Sequence, residues 1–333
     1  MNTFGRIFRV SIFGESHGSG VGILIDGCPA GLPLSPGEFA ADLGRRRPGK
    51  PGTTARREPD TPVIASGVLD RRTTGAPILI TFKNQDARPE DYAGRGETPR
   101  PGHADLVALQ KYGGFADLRG GGHFSGRLSV GLVAAGVIAR KLIAPATVAA
   151  RLVCAGGNQD IEAAVSTARR EGDSVGGIIE ARVKRVPPGL GEPFFDSVES
   201  VLSHLLFAVP GIKGIEFGSG FASAAMRGSE CNDAIISRHG RTRTNHSGGI
   251  NGGITNGNDL VFRAAVRPPA SIAKEQTTLN LRTGRPVTMT VRGRHDACIA
   301  LRLPVIVEAA AAVGLADLFL LEQRIPRIVR HRP

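Results

Sequence analysis

Two stretches of this chain offer almost no polar face to water. Residues 128–143 and 303–321 carry Ala, Val, Leu, Ile and Gly around the whole helical circumference. A helix that is apolar all round is buried on every side, so other layers must cover both. Runs of β-type residues at 7–13, 21–25, 62–68, 77–82, 176–186, 212–217, 260–266 and 287–291 can supply those layers. Shorter helices are expected at 35–46, 104–112, 160–170 and 196–208. The first has Ser35 as N-cap, Pro36 at N1 and Glu38 at N3. The mixture implies an α+β fold. Arg119-Gly120 with His123 stands before one apolar helix, and Arg292-Gly293 with His295 stands before the other. The echo suggests a single domain of two similar halves, divided near residue 155. A pseudo-twofold axis would put helices inside and sheets outside.

Composition narrows the partners. At 41% apolar, 333 residues suffice for such a core. No apolar run approaches the length of a membrane span, and the N-terminus does not read as a signal peptide. Cys28, Cys154, Cys231 and Cys298 are scattered, without Cys-x-x-Cys. That argues against zinc and fits a reducing cytoplasm. The formal charge is +12, from 42 basic and 30 acidic residues, and only seven of the basic ones are Lys. Arg makes planar, bidentate contacts to phosphate and carboxylate. A basic chain suits either nucleic acid or a small polyanion. Trp is absent and Tyr occurs only at Tyr92 and Tyr112, so few amphipathic platforms exist for stacking single strands. The balance leans towards a small anion.

The polar residues fall into islands. Gly14-Glu15-Ser16-His17-Gly18-Ser19-Gly20 places a carboxylate, a hydroxyl and an imidazole at the end of a sheet. Arg45-Arg46-Arg47-Pro48-Gly49-Lys50-Pro51-Gly52, with Arg56-Arg57-Glu58 after it, is a basic loop. It reads equally as a solvated charge run or as a lid over an anion. Its Walker-like spacing ends in Pro51, where Ser or Thr should hold magnesium, so it is no P-loop. Arg100-Pro101-Gly102-His103-Ala104-Asp105 puts His103 near a helix start, where the dipole attracts anions. In Arg119-Gly120-Gly121-Gly122-His123-Phe124-Ser125-Gly126-Arg127, three glycines let backbone approach a ligand, and Ser125 can cap the helix that follows. With Ser125 in the last place, a dinucleotide fingerprint is unsupported. Asn245-His246-Ser247-Gly248-Gly249-Ile250-Asn251-Gly252-Gly253 reads as tight turns around a ligand or as a surface loop. No His-x-x-x-His pair points to a metal, and no Gly-x-Ser-x-Gly elbow points to a serine hydrolase.

In this order, the islands resemble the chorismate synthase family. Residues 14–18 and 26–29, 119–127, and 294–298 through Glu308 carry the match, supported by 45–49, 56–60, 100–105 and 245–249. The resemblance implies a β-α-β sandwich, with long apolar helices between two antiparallel sheets, and a homotetramer. It implies that 5-enolpyruvylshikimate 3-phosphate loses phosphate and a ring proton by anti-1,4-elimination. The product, chorismate, closes the shikimate pathway towards the aromatic amino acids. Reduced FMN is implied without net redox change, with NADPH or a separate flavin reductase as its reductant. By the family's pattern, His103 would be a general acid for the departing phosphate. His17 would protonate or hydrogen-bond the reduced flavin, and Asp296 would join a proton relay from flavin N5. Arg46, Arg47, Lys50 and Arg127 would grip substrate or NADP. His123, Phe124, Ser125, Gly252, Arg267, Pro268, Pro269, Ala270, Ser271 and Arg294 would bind FMN. Two departures stand out: many members have Arg-Ser at His123-Phe124, and residues 142–157 look short, as though surface structure were missing there. A nucleic-acid binder would instead bind duplex in a salt-dependent way, and a flavoprotein oxidoreductase would consume NADPH with its substrate. Neither nucleic acid nor membrane is an expected partner, and a cytoplasmic location is expected.

Overall fold

The structure, a computed structural model, describes residues 2–86, 96–291, 293 and 295–329. Strands β1 (Thr3–Phe4), β2 (Arg9–Gly14) and β3 (Gly20–Asp26) lead to helix α1 (Ala40–Arg46). Then come β4 (Val63–Ile64), β5 (Val68–Leu69), β6 (Arg72–Thr73) and β7 (Ile78–Lys83). Helices α2 (Asp105–Lys111) and α3 (Ser129–Leu142) precede β8 (Thr147–Ala155), α4 (Ile161–Arg170) and β9 (Gly177–Lys184). The chain continues through α5 (Val198–Phe207), β10 (Ile212–Phe217), α6 (Gly228–Cys231), β11 (Ile250–Asn251) and β12 (Ile254–Thr255). It ends with β13 (Leu260–Val266), β14 (Gln276–Asn280), β15 (Arg285–Met289) and α7 (Pro304–Leu321).

Two antiparallel sheets enclose the helices. The first runs β1-β2-β3-β7-β4 and the second β10-β13-β9-β8. In the first, Val21, Ile23 and Ile25 pair across the ladder with Phe82, Ile80 and Ile78, and all six are buried. In the second, Leu260, Phe262 and Ala264 pair with Val183, Ala181 and Ile179, again all buried. Period-two burial gives each sheet one apolar face. Helix α3 covers the first sheet at β3, α7 covers the second at β8, and the two helices pack on each other. This is the α+β sandwich that two all-round apolar helices required.

Small residues set the close spacing of these layers. A Cβ on Gly136 of α3 would lie 2.4 Å from the Ala309 Cβ of α7. A Cβ on Gly131 would lie 3.1 Å from the Gly22 carbonyl of β3. Near the far end of α7, buried Asp317 accepts the backbone N–H groups of Arg6, Ile7 and Phe8 at 2.9, 2.7 and 2.8 Å. These bonds anchor the segment that enters β2 and so carries the Gly14–Gly20 loop.

Several expectations need correction. Helix α7 is long and apolar enough to cross a membrane by length and composition, contrary to the reading that no run approaches that length. It is 89% buried inside the protein. A strand not expected from the sequence, the nine-residue β8, occupies Thr147–Ala155. Its sequence mixes Ala and Arg among the β-branched residues, which hides the strand pattern. The expected strand at 62–68 splits into β4 and the start of β5, because Gly67 turns the chain at φ +79°. The last hairpin strand lies at Arg285–Met289, two residues before the expected 287–291. The helix expected from Ser35 begins as a 3₁₀ turn, Pro36–Phe39, with Glu38 accepting the Ser35 N–H at 2.8 Å. Arg292, half of the echo before α7, lies outside the described residues.

Gly136→Ala is expected to cost about 1–3 kcal/mol of stability by overpacking the α3–α7 contact. A urea unfolding midpoint unchanged from wild type would show that the helices do not approach so closely.

Candidate active site

The loop after β2, the turn before β10 and the segment after β13 converge on a cavity of about 390 Å³. His17, His103 and Asp296 all line it, together with Arg46, Arg127, Phe124, Ser125 and the five residues Arg267 to Ser271. Residues remote in sequence therefore share one pocket.

The triple glycine is a spacer between imidazoles. Gly120, Gly121 and Gly122 take φ values of +58°, +82° and +50°, which L side chains rarely adopt. A Cβ on Gly120 would sit 2.2 Å from His17 Cδ2, and one on Gly121 would sit 3.3 Å from His103 Cε1. Bare backbone thus lets both rings approach the same short segment. The Gly122 carbonyl accepts the Ser16 N–H at 3.1 Å and ties the spacer to the β2–β3 loop.

His103 is oriented from behind. Its Nδ1 lies 2.7 Å from Asp105 Oδ1. Arg100 donates to both Asp105 oxygens, Nε at 2.7 Å and Nη2 at 2.8 Å, and Nη1 donates to Ser271 Oγ at 3.0 Å. Nδ1 has Asp105 Oδ1 at 2.7 Å and Arg100 Nη2, which can only donate, at 3.0 Å; the nearer carboxylate assigns a proton to Nδ1. Burial works against the Asp105 charge, yet hydrogen bonds from Arg100 and His103 outweigh it and hold the carboxyl far below its usual range.

The cations form a partly compensated cluster. Among the described lining residues stand six arginines, Arg46, Arg56, Arg100, Arg127, Arg267 and Arg302, against three carboxylates, Glu58, Asp60 and Asp296. Asp60, almost fully buried, bridges Arg46 and Arg127. Arg46 also donates to Ser129 Oγ at 3.1 Å and to the Arg127 carbonyl at 3.0 Å. Arg56 donates to Ser16 Oγ at 2.8 Å and to Glu58 at 2.7 Å. Asp296 accepts the Thr54 N–H at 2.9 Å and Arg302 Nη1 at 3.3 Å. Burial pushes the Arg46 guanidinium down to about 9, aided by nearby Arg302 and opposed by Asp60. It stays charged at neutral pH, and a bound anion would relieve the crowding.

The basic loop is neither wholly solvated nor wholly inward. Arg46 and Arg56 enter the cavity, whereas Lys50 is exposed in a neighbouring recess beside it. Arg47 lies outside the lining, bonded to the Pro59 carbonyl and 4.0 Å from Asp60. His123 turns the other way: Nδ1 donates to the Gly14 carbonyl at 2.8 Å, and the ring lines a second, largely apolar cavity of about 990 Å³. Phe124, Ser125, Val209 and Pro210 form a wall common to both cavities. Gly252 sits in the β11–β12 turn, outside both linings, because that hairpin packs beside Ser197 at the start of α5. His246 lies outside as well, with Nδ1 2.8 Å from Ser219 Oγ. Arg294 lies outside the described residues.

Sequence reasoning passed over Arg56, Asp60, Arg100, Asp105 and Arg302 as site residues. Asp105 carried a legible signal, standing two places after His103 at a helix start. Arg302 did not, since only the 3₁₀ turn Ile299–Leu301 before α7 brings it back to Asp296.

A half-open, cation-rich pocket lined by imidazoles suits chemistry on a small polyanion; nucleic-acid readers spread their charge over a surface. Comparison with known proteins agrees. Residues 8–320 match the family described as chorismate synthase. A chorismate synthase from Chitinophaga pinensis is 58% identical over 332 residues, covering 99% of this chain and 100% of that protein. One from Desulfovibrio desulfuricans is 44% identical over 357 residues, covering 97% and 98%. A crystal structure of a chorismate synthase aligns with a TM-score of 0.74 at 25% identity, covering 96% of this chain and 93% of that one. The chain belongs to the chorismate synthase family and is an enzyme of the lyase class, acting in the shikimate pathway.

Asp105 links this site to pH. An unfolded Asp titrates near about 3.9, and the folded value is lower. Its ionised form therefore stabilises the fold above about pH 4 and loses that contribution as pH falls through the folded value. Asp105→Asn is expected to lower the urea midpoint at neutral pH. The gap to wild type should narrow on acidification below about pH 4; a gap independent of pH would remove the assignment.

Proposed function

We propose that the chain converts 5-enolpyruvylshikimate 3-phosphate to chorismate and phosphate by anti-1,4-elimination, with reduced FMN and no net redox change. One observation carries the reading: the two histidines approach one glycine spacer inside a pocket with more guanidinium groups than carboxylates. The substrate brings a phosphate and two carboxylates, and FMN adds a further phosphate. Arg46 and Arg127, fixed through Asp60, would hold substrate anions without reorganising during the reaction.

The residues present suit a flavin. A flat apolar ring system with a charged tail needs an apolar wall beside fixed cations. The wall between the two cavities offers that combination, with Phe124 and Pro210 near Arg267 and Ser271. Phe124, Ser125 and Arg267 to Ser271 would hold the flavin, with His123 at the apolar side. When bound, reduced FMN would supply an electron-rich ring beside the substrate. Gly252 has no part in this reading.

His103, carrying a proton on each ring nitrogen with Nδ1–H on Asp105, would pass the Nε2 proton to the departing phosphate oxygen and return to its neutral form. His17 would hydrogen-bond the flavin across the spacer. Asp296, fixed by Thr54 and Arg302, would accept the ring proton in a relay. The single domain would consist of two similar halves, each contributing one central helix. The working enzyme would be a cytoplasmic homotetramer, with NADPH or a separate reductase supplying reduced flavin and Arg47 and Lys50 at the loop that meets NADP.

An anaerobic assay with photoreduced FMN, with and without NADPH, tests the proposal. Chorismate is expected only with reduced flavin, and His103→Ala should slow its formation by about 10²–10⁴-fold. Full turnover without flavin would reject the flavin-dependent reading.

A further inference from the structure

Arg45, Arg46 and Arg47 are consecutive at the end of α1, yet they go three ways. Arg46 enters the cavity, Arg47 reaches the Pro59 carbonyl, and Arg45 turns to Glu308 on α7. Arg45 Nη1 donates to Glu308 Oε2 at 2.6 Å and Nη2 to Oε1 at 2.7 Å, a bidentate pair. Glu308 is 3% exposed. Its Oε1 also accepts the Ala150 N–H of β8 at 2.9 Å, and its Oε2 accepts Arg140 of α3 at 3.4 Å. Arg140 in turn pairs with Asp42 of α1. One buried carboxylate thus joins α1, α3, α7 and β8.

This placement is costly by itself. Fourteen of the other buried residues of α7 are apolar or glycine, and a carboxylate among them must offset its desolvation through its partners. Well-packed apolar replacements for buried ion pairs are often as stable, so stability alone is a weak reason for the charge. The geometry supplies another. Glu308 does not line the cavity, but the residue it clamps is the covalent neighbour of Arg46. From the same turn, the Arg46 carbonyl accepts Arg302 Nε at 3.0 Å, and Arg302 reaches Asp296. A shift of this last turn of α1 would displace the Arg46 side chain directly, whereas Asp296 keeps a separate anchor at the Thr54 N–H.

We infer that Glu308 is a positioning residue for substrate binding: by clamping Arg45 it fixes the last turn of α1 and aims the Arg46 guanidinium into the pocket. The inference rests on reading Arg46 as a contact to a substrate anion. Glu308→Gln keeps the shape but removes the charge and turns an amide N–H₂ towards donors. The variant is expected to raise KM for 5-enolpyruvylshikimate 3-phosphate about tenfold with kcat little changed, as befits lost ground-state binding.

The double variant Arg45→Met/Glu308→Leu replaces the pair by apolar groups. It should recover most of the thermal midpoint while KM stays raised. KM returning to the wild-type value together with the midpoint would reduce Glu308 to a structural role and overturn the inference. Should Glu308→Gln fail to fold, the double variant carries both measurements. A crystal structure of either variant gives a readout independent of the reaction. Arg46 is expected to leave Ser129 and Asp60, and finding it in place overturns the inference. Wild-type protein that fails to turn over this substrate would count against the proposed function, while the position of Arg46 would still decide the role of Glu308.

Discussion

Like charges held close together are the constraint that shapes this protein. Two of them 4 Å apart repel by about 4 kcal/mol at a protein-like effective dielectric of about 20. Six arginines around one small cavity must therefore be interleaved with anions or separated by rigid backbone. Asp60 stands between Arg46 and Arg127, Asp105 behind Arg100, and Asp296 beside Arg302. The compensation is incomplete. What remains is a fixed positive potential, which stabilises negative charge without waiting for solvent to reorient.

Such a cluster needs a stiff frame. The frame comes from α3 and α7, which approach so closely that one Cβ at Gly136 would collide with Ala309. Interiors packed in this way have discrete arrangements and do not deform continuously. Two carboxylates on the otherwise apolar α7 connect the frame to the pocket's approaches. Asp317 holds the backbone before β2, and Glu308 holds the end of α1. Each serves as a fixed acceptor at a place where the chain brings unpaired donors into the interior.

Glycine does a different job at the spacer. Elsewhere in the chain it allows turns or close packing, but at Gly120 and Gly121 the absent side chains make room for imidazoles. The run of three glycines was visible at once in the sequence, and its reading as a place of close backbone approach was correct in kind. That the approaching groups would be His17 and His103 was not visible, because one lies about a hundred residues upstream and the other follows an unrelated loop.

The amino-acid order alone determined the α+β class, the two central helices and nearly every buried strand. Those signals are periodic and local: Ile212–Phe217 and Leu260–Val266 lie where the apolar runs put them. It also marked the islands that carry polar chemistry, since Arg, His and Gly cluster there in short segments. Only the tertiary structure decided which islands meet. His103 faces the cavity while His123 and His246 do not, and Arg45, Arg46 and Arg47 part company although they are adjacent. It also revealed β8, whose Ala and Arg conceal its strand period, and the partners Asp60, Asp105 and Arg302. Pairing of charges depends on distance through space, and no local pattern of residues encodes that distance.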